Sequence, residues 1–170
     1  MQKALAVNYK EMQKLSLKLW NILEEARRKN KWITVTSKSG TDIRFKILEK
    51  VYLDIGKVKR GKVENLPAGE VFFAPKNAEG ILVLDKFENK INKPATLFIA
   101  DNKIIGYQRS REGMLLKKLL AVKGGNFMAE FGIGTNKNAK LIGSTLLDEK
   151  VFGTCHVAFG NNVSMGGKNN

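Results

Sequence analysis

Between residues 8 and 29 the apolar positions recur at three- and four-residue steps. Met12, Leu15, Leu19, Ile22, Leu23 and Ala26 form the stripe, with Lys10, Lys14, Lys18 and Glu25 off it. That spacing predicts one amphipathic helix. The Arg27-Arg28-Lys29 run falls in its last turn, where cations favour the negative end of the helix dipole. The period then changes to two. Trp32-Ile33-Thr34-Val35-Thr36 is β-branched, Ser37-Lys38-Ser39-Gly40 reads as a turn, and residues 41–47 alternate apolar with polar, which predicts a hairpin. Further strands are expected over 71–74, 80–84, 95–100 and 103–107, and late strands over 127–133 and 154–160. Ser110 is placed to cap a second helix over Glu112–Val122, with Met114, Leu115, Leu119 and Leu120 as its apolar set and Gly124-Gly125 as its stop. No internal repeat and no linker interrupts the pattern. The expected fold is α+β, a single domain over 1–170, mostly antiparallel, with a long N-terminal helix and a second helix near 110–122.

Composition narrows the function. The 170 residues include 43% hydrophobic and 27% charged positions, a globular profile. A single cysteine excludes an intramolecular disulfide framework, and a single histidine excludes any two-histidine metal motif within the chain. No apolar run approaches the ~20 residues that span a bilayer, and the start carries no signal-peptide pattern, so a cytoplasmic protein without membrane partners is expected. The net charge of +14 invites a nucleic-acid reading. The excess is mostly lysine, 24 against 6 arginines, and neither the Arg27–Lys31 run nor the cluster of Lys57, Lys59, Arg60 and Lys62 is interleaved with aromatic residues. That pattern weighs against nucleic-acid recognition and for a solvated lysine surface.

Candidate chemistry lies where isolated polar residues interrupt apolar strands. Glu70 stands at the junction of a Pro/Gly turn with a strand. Glu130 lies within Phe127-Met128-Ala129-Glu130-Phe131-Gly132-Ile133, whose neighbours disfavour an unpaired carboxylate, and His156 lies within Thr154-Cys155-His156-Val157-Ala158-Phe159. Two carboxylates and an imidazole, if they converge, suit a divalent transition metal. Each also has a plainer reading: a solvated junction Glu70, a Glu130 facing water from an edge strand, a hydrogen-bonded core His156. Strand alternation turns Cys155 away from His156, so a Cys–His nucleophile pair is not expected and Cys155 reads as small buried packing.

Three segments carry a family resemblance. Asn65-Leu66-Pro67-Ala68-Gly69-Glu70-Val71-Phe72-Phe73-Ala74-Pro75 resembles the "PxGEVFxAP" segment of the aminopeptidase T/aminopeptidase S metallopeptidase family. Ala129-Glu130-Phe131-Gly132-Ile133-Gly134-Thr135-Asn136 resembles its "EFGIGTNP" segment, and residues 147–160 resemble its "DEKxxGTxHxAxG" segment. The order matches over residues 33–167. The resemblance implies that Glu70, Glu130 and His156 are metal ligands of a two-metal aminopeptidase site, Glu130 bridging, with Glu70 and Glu130 as the catalytic carboxylates. Zinc, cobalt or manganese would polarise the scissile carbonyl and supply the hydroxide, a carboxylate would act as general base, and the substrate would be a peptide bound through its free amino group.

A homo-oligomer, specifically a dimer, is the expected assembly. Three departures qualify the match. The family's further His-x-Asp follows the glycine-rich tail, whereas this sequence ends at Asn170. The peptidase tyrosine a few residues after the imidazole is absent, with Val163 in that region. The family's N-terminal α/β half precedes the segment matched here. The expectation is a partial catalytic domain, inactive in this form, with weak or no metal binding unless another chain completes its site. A related branch resembles ring-cleaving dihydroxypyridine dioxygenases with mononuclear iron, and a non-catalytic assembly domain is the third reading.

Overall fold

The computed structural model describes residues 2–57, 60–61, 65–91 and 93–169. Lys59 and Lys62 of the second basic cluster lie outside them. Two short helical segments flank the chain's main elements: α1 (Gln2–Leu5) near the start and α4 (Thr145–Asp148) late. Between them come the long α2 (Tyr9–Arg28) and α3 (Arg111–Leu119). The strands are β1 (Ile33–Thr36), β2 (Asp42–Ile47), β3 (Tyr52–Asp54), β4 (Glu70–Phe73), β5 (Pro75–Leu84), β6 (Ala95–Ala100), β7 (Lys103–Tyr107), β8 (Met128–Gly134) and β9 (Cys155–Phe159). They form two antiparallel sheets, ordered β1-β2-β5-β6-β7 and β3-β4-β8-β9. The α+β reading holds.

Strand alternation builds the core. Ile43, Phe45 and Ile47 all point inward from β2, and Val71, Phe73 and Phe131 point inward from the four-stranded sheet. Phe45 meets Phe131 at 4.8 Å and Phe73 at 5.8 Å between ring centroids, so aromatic contacts lock one sheet onto the other. The opposite face of the smaller sheet is thereby left for Glu70, Phe72, Glu130, Gly132 and His156.

Both main helices form where expected; α2 turns its predicted apolar stripe inward, and α3 a partly different face. Asn8 caps α2, its side chain accepting from the Glu11 N–H at 3.2 Å. The buried residues of α2 are Met12 and Leu23 of the stripe together with Ser16 and Glu24, and Ile22 alone of the stripe is exposed, at 56%. Polar anchors add to this face. Ser16 Oγ lies 2.8 Å from Thr135 Oγ1, Glu24 Oε1 accepts from the Val51 N–H at 3.0 Å, and the Trp20 indole donates to Val51 O at 3.0 Å. In α3 Ser110 caps as expected, accepting from the Gly113 N–H at 3.0 Å. That helix ends at Leu119, before Val122, and buries Leu116 and Leu120 while Met114 and Leu115 stay exposed. Strand β5 extends back to Pro75, and α1, α4 and β3 are elements that periodicity does not reveal.

Candidate metal centre

Register brings the three polar positions together. Glu70 opens β4 and pairs with Gly134 of β8; two residues back along β8, Gly132 pairs with His156 of β9, and Glu130 pairs with Ala158. A period of two puts Glu130, Gly132 and Gly134 on one face, and pairing adds Glu70 and His156 to it. Glu70 Oε2 and Glu130 Oε1 each stand 3.4 Å from His156 Nε2. The imidazole is thus a hub with a carboxylate oxygen on two sides.

The plainer readings fail at two of the three residues. Glu70 is buried instead of solvated, and His156 is not hydrogen-bonded: Glu70 Oε2 and both imidazole nitrogens are buried without a hydrogen-bond partner among the described residues. Such groups are costly unless something completes them. Glu130 is half-buried on the strand next to the sheet edge.

A fourth group belongs to the site. Lys150, fully buried, directs its ammonium onto Glu70 Oε1, with Asp54 Oδ2 and Glu149 Oε2 each 3.6 Å away. Burial pushes the Glu70 carboxyl up, against the pull of the Lys150 ammonium and the His156 ring. Burial pulls Lys150 down, but Glu70, Asp54 and Glu149 outweigh it and hold the ammonium charged. Lys150 lies inside the Asp148-Glu149-Lys150 run of the third motif. Its signal was the charged triplet itself, which sequence spacing could not connect to Glu70, eighty positions away.

Glycines make the room. A Cβ on Gly132 would collide with the His156 ring, and one on Gly134 with the Val151 carbonyl. The second approach lets the 150–152 backbone dock: Asn136 N–H donates to Lys150 O at 2.8 Å and Phe152 N–H to Asn136 O at 3.1 Å. Asn136 is fully buried, donating through Nδ2 to Ala4 O and Ala68 O and accepting at Oδ1 from the Asn138 and Ala139 N–H groups. The Gly-Thr-Asn end of the second motif is therefore scaffold. Cys155 is exposed, correcting its reading as buried packing, because β9 is the edge strand of its sheet.

The donor set can be tested against a divalent metal. Carboxylate and imidazole ligands bind zinc-like ions at about 2.1 Å, which makes neighbouring ligand atoms of a tetrahedral site about 3.4 Å apart. Both separations at the hub match that edge. They also exceed a good hydrogen bond, which accounts for the unpaired atoms. No group of three or more such side chains among the described residues stands in metal-holding positions as it is. The donor types, two carboxylates and an imidazole with buried atoms lacking a hydrogen-bond partner among the described residues, suit a divalent metal in their chemistry.

A family model described as thermophilic metalloprotease (M29) matches residues 6–170. Two solved structures share the fold. A 2,5-dihydroxypyridine dioxygenase from Pseudomonas putida is 23% identical at a TM-score of 0.83, covering 99% of this chain and 55% of that one. AmpT from Thermus thermophilus is 20% identical at a TM-score of 0.66, covering 89% of this chain and 41% of that one. The chain thus spans about half the length of the solved structures it matches. No curated protein matches it. No described helix is long and apolar enough to cross a membrane. With the family model spanning nearly its whole length, this chain belongs to the thermophilic metalloprotease (M29) family.

Proposed function

We propose that the chain is the ligand-bearing part of a metal-dependent aminopeptidase, with Glu70, Glu130 and His156 as metal ligands and peptides as substrate. The observation that carries this reading is the pair of 3.4 Å approaches to His156 Nε2 by carboxylates from two different strands. A zinc, cobalt or manganese ion bound there supplies a polarised carbonyl and a water of lowered pKa. The chain's own residues divide the remaining work. Glu70 is buried and fixed, suited to holding position. Glu130 is the more exposed carboxylate, with 21% of its side chain open, on the side from which substrate and water would reach the ligands, and a carboxylate beside the bound water would act as general base. The four carboxylates Asp54, Glu70, Glu130 and Glu149 outnumber the Lys150 ammonium and give a basic protein a locally acidic centre, attractive to the charged N-terminus of a peptide. Ligands beyond these three would come from outside the residues described, and the assembly we propose is a homodimer, which light scattering distinguishes from the 19.0 kDa chain.

Metal-dependent release of the N-terminal residue from a short peptide, lost in Glu130→Gln, tests the reading. A second reading, iron-dependent ring cleavage, is favoured by Val163 in the region of the peptidase tyrosine. Iron- and oxygen-dependent ring opening without peptide turnover would decide for it. If neither activity appears and added metal leaves the melting temperature unchanged, the chain is an assembly domain.

A further inference from the structure

We propose that Lys150 is a positioning residue that makes Glu70 a one-oxygen ligand. The inference rests on the metal reading above. The two oxygens of Glu70 face different partners: Oε1 accepts from the Lys150 ammonium, while Oε2 faces His156 Nε2 at 3.4 Å and has no hydrogen bond among the described residues. A carboxylate free to rotate can offer a metal both oxygens or either one. Here the ammonium removes one oxygen from the choice and aims the other at the hub.

The position of that ammonium is set by backbone. The Lys150 carbonyl accepts from the Asn136 N–H at 2.8 Å, and the close approach of residues 150–151 to the side-chain-free Gly134 holds the segment against β8. The ammonium is fully buried and also has Asp54 and Glu149 at 3.6 Å, so several acidic groups keep it in place. A surface lysine would exchange partners with bulk water; this one is fully buried. Partners behind a ligand of this kind orient it, and losing one costs metal sites about 10–100-fold in affinity.

Cobalt(II) titration of the full chain, read by calorimetry and by the visible d–d spectrum, tests the proposal. The spectrum reports coordination number, which a merely structural role of Lys150 would leave unchanged. Lys150→Met is expected to weaken cobalt binding at least tenfold and to lower the d–d absorption, as Glu70 turns both oxygens to the ion. Lys150→Arg, which keeps the charge but moves the donor, is expected to lie between the two, and it decides by the same criteria if Lys150→Met does not fold. Unchanged affinity and spectrum would overturn the proposal. So would tighter binding, which would make the ammonium a competitor of the metal. Failure of the metal reading looks different: the wild-type chain would then take up no cobalt that His156→Ala abolishes, and the proposal would fall with it.

Discussion

Gly132 carries no side chain because the His156 ring occupies that space, and the most direct residue-scale test follows from it. Gly132→Ala is expected to displace the imidazole and abolish metal binding, at a stability cost of about 1–3 kcal/mol for overpacking. Metal titration alongside a thermal melt separates the two effects. Glu24 offers a test away from the site. Burial would raise its pKa, but the hydrogen bonds from Arg27 and the Val51 N–H and the nearby arginine charges outweigh that and hold it below the ordinary 4.5. A depressed folded value means stabilisation that is present above pH 4.5 and lost as the pH falls through the lower folded value. Glu24→Gln is therefore expected to cost about 1–2 kcal/mol at pH 7 and progressively less below pH 4.5. Paired denaturation curves at pH 7 and pH 3 check the sign; an equal deficit at both would contradict it.

Among the elements, the second motif does two jobs within eight residues. Glu130 supplies the site, whereas Thr135 and Asn136 tie α2, α1 and the turn before β4 to β8. Asn136→Ala strands several buried backbone groups at once, and a loss of at least ~2 kcal/mol is expected in urea denaturation. Ser110→Ala, which removes only the cap of α3, is expected to cost about 1 kcal/mol. The same contrast explains what could be read in advance. The hairpin 33–47, both main helices and the late strands were legible because local period and cap residues specify them. The buried polar residues of α2 were not, since Ser16 and Glu24 are held by partners distant in sequence, and in α3 the buried Leu116 lay outside the predicted apolar set. Glu70, Glu130 and His156 stood out as lone polar residues on apolar strands. Lys150 did not, because a lysine in a charged triplet reads as solvated until the fold encloses it.

At the scale of the whole molecule, charge and site have opposite signs. The +14 surface is spread over lysines, and the centre is acidic around one ammonium. That arrangement makes a basic protein that should take up a cation at one place. Calorimetric titration of the metal-free chain with zinc tests this most directly, run in parallel on His156→Ala. Saturable binding is expected for the wild type and its loss in the variant, while the variant's fold, by circular dichroism, is retained. Wild-type binding that persists undiminished in His156→Ala, or no binding at all, would contradict it.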